Sequence, residues 1–129
     1  MIDLFSDLNM LQHSLDYHLK RHGLLTSNIA NSETPGYIPQ DLSFRATLAR
    51  ASDLRGSDAR HLGVSDESRF GSAVFPDPSG PPGNDGNAVS LERETAKLSA
   101  NSIRYRSAAE ILSRRMALLR YAATDGQRR

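Results

Sequence analysis

A chain of 129 residues has room for one domain of ordinary size. Hydrophobic side chains make up 38% of it and aromatic ones 6%, an undersupply for one thick core, while 16 basic against 15 acidic residues leave a net +1, too balanced for a chain disordered throughout. The absence of cysteine excludes a disulfide scaffold, a thiolate zinc site, an iron–sulfur centre and a cysteine nucleophile, and no apolar run approaches the ~20 residues of a membrane span.

The first segment opens Met1-Ile2-Asp3-Leu4-Phe5-Ser6-Asp7, with acid where a cleaved secretory signal carries base, which argues against such a signal. Leu4, Leu8, Leu11, Leu15, Leu25 and Ile29 then recur in 4-3 steps, with His18 and His22 on the same stripe. The spacing predicts a helix of about 25 residues capped by Asp3, near 40 Å long. It runs through Gly23, which costs on the order of 1 kcal/mol relative to Ala.

The middle differs in composition. All six prolines fall between 35 and 82, and residues 71–87 hold four Gly and four Pro. Pro76 to Gly86 reads as loop. A short helix fits Ser43–Leu54, and brief extended pieces fit Tyr37–Leu42 and Val74–Phe75.

The last segment carries the strongest pattern. Positions 91, 95, 98, 102, 105, 109, 112, 116, 119 and 123 read Leu, Thr, Leu, Ser, Tyr, Ala, Leu, Met, Leu, Ala, and neither Pro nor Gly interrupts residues 88–125. Ser90 supplies an N-cap, Glu92 and Glu94 suit the positive helix start, and Gly126 is a natural stop. A rod of roughly 35 residues exceeds 50 Å and needs another long helix against its stripe. The fold expected is therefore mainly α: long N- and C-terminal helices pairing as a coiled coil around an irregular Gly/Pro-rich middle with short strands. Residues 1–34 and 88–129 form one domain, with 35–87 as the irregular segment. The predicted seam sets Leu4, Leu8, Leu11, Leu15, Leu25 and Ile29 against Leu91, Leu98, Tyr105, Leu112, Met116 and Leu119. Residues 1–34 carry net −2, 35–89 net −2 and 90–129 net +5, so the ends are electrostatically complementary.

Ser27 to Tyr37 is the most informative stretch. Asn28 and Asn31 have short amides suited to helix-terminal backbone groups, and Ala30 permits close approach. Thr34 is pushed to extended backbone by Pro35, and Pro35-Gly36 fits the centre of a type II turn with Gly36 at positive φ. Tyr37 then packs back on the seam. Local physics reads this as a well-capped helix followed by a turn.

Asn28-Ile29-Ala30-Asn31-x-x-Thr34-Pro35-Gly36-Tyr37 also resembles the N-terminal signature of bacterial flagellar axial proteins. Asp41-Leu42-Ser43-Phe44, Arg60-His61-Leu62, Gly86-Asn87-Ala88-Val89-Ser90-Leu91-Glu92-Arg93-Glu94 and Asn101-x-x-x-Tyr105 resemble segments of the proximal-rod FlgB family. FlgC-type rod proteins share the first signature but not the Asp-Leu-x-Phe or Gly-Asn-x-Val pieces in this form. Ala88 and Ser90 stand where that family usually has Asn and Asp. The resemblance implies a structural subunit without cofactor, stacking with its own copies and other rod proteins around a channel. It also implies a FliE-type junction protein, the inner-membrane ring and the export gate as neighbours, in a periplasmic rod exported without a cleaved signal. Asn28, Ala30, Asn31, Thr34, Pro35, Gly36, Tyr37, Asn101 and Tyr105 become its expected assembly residues.

Other chemistries are less well supplied. His18 and His22 have the i, i+4 spacing of zinc ligands, but Lys20 and Arg21 lie between them and no further ligands accompany them. They read as helix-contact imidazoles whose protonation below about pH 6 weakens packing. Arg104, Arg106, Arg114, Arg115 and Arg120 share their helix with Glu92, Glu94 and Glu110, unlike a nucleic-acid binder. The Gly80–Gly86 loop lacks the Gly-Lys-Ser/Thr ending of a phosphate loop, and no nucleophile elbow occurs. A soluble helical adaptor that binds a partner helix is the alternative reading.

Overall fold

The structure is a computed structural model and describes residues 4–44, 74–78 and 80–125. Helix α1 spans Leu4–Ala30, strand β1 Gln40–Leu42, strand β2 Val74–Pro76 and helix α2 Leu91–Asp125. The two long helices match the heptad reading. The strands match the two extended pieces, except that β2 takes in Pro76, read from the sequence as loop. Pro76 has no N–H to donate and sits at the strand's end, opposite Gln40. The expected caps Asp3 and Gly126, all of Ser43–Leu54 beyond Phe44, and Arg60-His61-Leu62 lie outside the described residues.

α1 continues through Gly23 because that residue is exposed, with nothing within 4 Å of a Cβ built on it. At the start of α2, the Arg93 N–H donates to Ser90 Oγ at 3.4 Å and the Glu94 N–H to the Ser90 carbonyl at 2.9 Å, so Ser90 is the N-cap.

α1 and α2 run antiparallel. Asn28 meets Glu94 near one end of the pair, and His18 meets Asn101 further along. The β1–β2 pair lies against another face of α1. There Tyr17 and Leu42 form a small core with Leu24 and Val74, and the Tyr17 hydroxyl donates to the Leu42 carbonyl at 2.9 Å. Phe44 stands edge-on to Tyr17. Among the described residues buried apolar side chains are few, and large apolar ones remain outside along both helices.

Candidate functional site

Two polar constructions dominate the molecule: the seam between the helices, and the junction where α1 ends and α2 begins.

At the junction, α1 ends as the Asn31 N–H donates to Ser27 and Asn28 carbonyls. The chain then turns at Thr34-Pro35-Gly36-Tyr37, where the Tyr37 N–H donates to the Thr34 carbonyl at 3.3 Å and Gly36 has φ +71°. That is the type II turn. The loop before α2 docks on it. The Gly36 N–H donates to the Asp85 carbonyl and the Ala88 N–H to the Tyr37 carbonyl, both at 3.0 Å. Gly86, itself at φ +76°, lies against the Gly36 backbone, where an added Cβ would sit 3.4 Å from the Gly36 Cα. Asn87 closes the junction. Its amide nitrogen shares two hydrogens among the carbonyls of Asn31, Ser32 and Thr34 at 3.0, 2.9 and 2.8 Å, and its amide oxygen accepts from the Val89 N–H. These carbonyls belong to the turns that follow α1, and a buried amide from a distant segment ties them together.

Asn28 joins the junction to the seam. It is fully buried and fills its whole capacity of two donated and two accepted hydrogen bonds. Its nitrogen donates to the Gln40 carbonyl and Glu94 Oε2, and its oxygen accepts from the Gln40 N–H and the Tyr37 hydroxyl. Glu94, also fully buried, receives Lys97 Nζ at 2.6 Å on its other oxygen, and Lys97 reaches Asp77 Oδ2 at 2.8 Å. Burial alone lowers the Lys97 pKa, but the carboxylates of Asp77 and Glu94 outweigh it and hold the ammonium above its ordinary range.

One heptad further along α2, Asn101 is fully buried against His18. Its nitrogen donates to the His18 carbonyl and its oxygen accepts from His18 Nδ1, both at 2.8 Å. The amide orientation assigns the proton to Nδ1. Beside this pair His18, His22, Ser102, Tyr105 and Arg106 line an open cavity of about 260 Å³.

A third clasp ties α1 to β1. Arg21 Nε and Nη2 each donate to one Asp41 oxygen at 2.6 Å, and the Leu42 N–H adds a third donor to that carboxylate. Burial pushes the Asp41 carboxyl up, yet Arg21 and the Leu42 N–H outweigh it and hold it below the ordinary carboxylate range.

The sequence-predicted residues are placed unevenly. Asn28, Asn31, Thr34, Gly36 and Tyr37 all converge at the junction, with Thr34 Oγ1 donating to Asn31 Oδ1. Pro35 is exposed in the turn and Ala30 is exposed at the end of α1. Leu8, Leu11, Leu15 and Ile29 are half-buried and Leu25 is fully buried. On α2, Leu98, Leu112 and Leu119 are half-buried, whereas Leu91 and Met116 are exposed and Tyr105 is 37% exposed. The most buried positions of α2 are Glu94, Asn101 and Ala108, a stripe turned about 60° from the apolar one. The reason is pairing: α1 offers Asn28 and His18 as partners at those heights, so polar residues take the inside. The pairings of Asn87, Glu94, Tyr17, Arg21 and Asp41 are not legible in the sequence. Asn87, Glu94 and Asp41 lie within family-like motifs, but no local signal marks their partners.

Among the described residues no three His, Asp or Glu side chains gather to hold a metal, and no helix is long and apolar enough to cross a membrane. A long helical hairpin tied by a polar junction, with apolar side chains left on its outer face, has the architecture of an assembling structural subunit. The chain matches no family model. It is 41% identical over 100 residues to the flagellar basal body rod protein FlgB of Cereibacter sphaeroides, covering 75% of this chain and 77% of that one. The FlgB proteins of Aquifex aeolicus and Escherichia coli K12 are 32% and 30% identical, covering 81% and 88% of this chain and 82% and 90% of theirs. The chain belongs to the FlgB family of flagellar basal body rod proteins.

Proposed function

We propose that this chain is a structural subunit of the flagellar basal-body rod, assembling with its own copies and with other rod proteins in support of motility. The observation that carries the reading is the outer surface of α2. Ile103, Ile111, Leu118 and Tyr121 are between 48% and 68% exposed and share a face about a third of a turn from Asn101 and Ala108. A lone chain has no use for that apolar row, and a packed neighbour does. The Asn28–Tyr37 junction then holds both helices at the angle that assembly requires. The finer placement follows the sequence resemblance: the proximal end of the rod, in the periplasm, beside a FliE-type junction protein, the inner-membrane ring and the export gate. The chain's work is mechanical, transmitting torque through subunit contacts instead of converting a substrate.

Leu118→Glu tests this in cells lacking the native chain. The purified variant keeps its helix content, because Leu118 is 68% exposed, while rod incorporation and motility are lost. Full motility with the variant shows that the outer face of α2 is not a rod contact and removes the observation on which the reading rests.

A further inference from the structure

The most deeply buried line of α2 is not its most apolar one. Three of its residues, Glu94, Asn101 and Ala108, are the ones buried, although more apolar surface flanks them on both sides. A rotation of about 60° one way centres Leu91, Leu98, Tyr105, Leu112 and Met116 on α1, and about 120° the other way centres Ile103, Ile111, Leu118 and Tyr121. Area burial alone favours either rotation. What opposes them is hydrogen bonding. Rotating α2 strips Glu94 of the Asn28 amide at 2.8 Å and breaks both 2.8 Å bonds between Asn101 and His18. The losses fall on buried groups on both helices, where unpaired polar atoms are most costly.

We infer that Asn28–Glu94 and His18–Asn101 are rotational keys, which choose the face α2 turns to α1 and so keep its apolar flanks outward for neighbouring subunits. The two keys sit a heptad apart on α2, so together they fix rotation along a length of helix that one contact leaves free. Each key is specific in a way an apolar contact is not, since leucine packs against leucine at many angles while an amide meets its partner at few. The inference deepens the rod reading by naming what presents the assembly face, and its test uses the lone chain, separate from motility.

The chain has no cysteine, so single introduced thiols report exposure without background. Leu118→Cys and Ala108→Cys are each placed in the wild-type chain and in His18→Leu/Asn101→Leu, which leaves the junction untouched. In the wild-type chain the thiol at position 118 reacts with a maleimide at least tenfold faster than that at 108. In the keyless chain that ratio falls towards one or inverts, while circular dichroism keeps its helical signal and the thermal midpoint holds or rises. An unchanged tenfold ratio in the folded keyless chain overturns the inference. Glu94→Leu, which leaves the Asn28 bonds to Gln40 and Tyr37 in place, repeats the measurement at the other key. Loss of helix in both variants also overturns it, because the pairs then hold the hairpin together without choosing its face.

Discussion

Gly36 and Asn87 hold the junction from its two segments, and each is there for a different physical reason. An added Cβ at Gly36 meets nothing within 4 Å, so its requirement is conformational: φ is +71°, where a β-branched side chain is strained. Gly36→Val is expected to cost about 1–3 kcal/mol, read as a lower urea midpoint. An unchanged midpoint shows that the turn relaxes to another type. At Asn87 the requirement is a donor, since three carbonyls face one amide nitrogen. Asn87→Ala is expected to cost about 1–3 kcal/mol. Asn87→Asp, though nearly the same shape, points a carboxylate at those carbonyls and is expected to cost more than Ala in the same titration. His18 holds Asn101 across the two helices, whereas His22, one turn further along α1, is exposed.

Between elements, charge does the joining. Arg21 and Asp41 hold β1 on α1 with side chains only 15% and 6% exposed. The Asp41 carboxyl titrates lower in the folded chain than in the unfolded one, so its stabilisation is present above the unfolded value of about 3.9. It is lost as pH falls through the folded value. The stability difference between the wild-type chain and Asp41→Asn is therefore expected to stay level from about pH 7 to about pH 4 and to shrink below that. A difference that shrinks already at neutral pH refutes the clasp. Lys97 works in the opposite direction. Its folded pKa is raised by Asp77 and Glu94 against the pull of burial, so its contribution is complete below the unfolded value of about 10.4 and lost as pH rises through the folded one. Lys97→Met should accordingly flatten the alkaline limb of the stability profile, measured by thermal unfolding.

At the scale of the molecule, burial among the described residues is sparse and exposed apolar surface is plentiful. The cluster of Tyr17, Leu42, Leu24 and Val74 is small, and the helix pair is held as much by amides and carboxylates as by leucines. Such a hairpin is expected to be marginal alone and to gain stability from neighbours by mass action. The thermal midpoint of the purified chain should rise with protein concentration or on mixing with other rod subunits. A midpoint independent of both argues that the outer face of α2 is not used.

Much of this was written in one-dimensional pattern. The heptad run over Leu91–Asp125, the Ser90 cap and the uninterrupted absence of Pro and Gly determine α2 locally, because helix periodicity and capping depend on near neighbours. The Thr34-Pro35-Gly36-Tyr37 turn was legible for the same reason. The face that α2 presents was not. Hydropathy ranks Leu91 and Met116 above Glu94 and Asn101, but the contact is decided by what stands opposite, and the partners of those two lie 66 and 83 residues away. Asn87 likewise looks like any polar residue in a Gly/Pro-rich loop until the turns after α1 bring three carbonyls to it. The sequence by itself determined the rods, the turn and, through its motifs, the family. Only the tertiary structure decided which polar groups pair across the helices, because a buried hydrogen bond belongs to two distant residues at once and neither carries it alone.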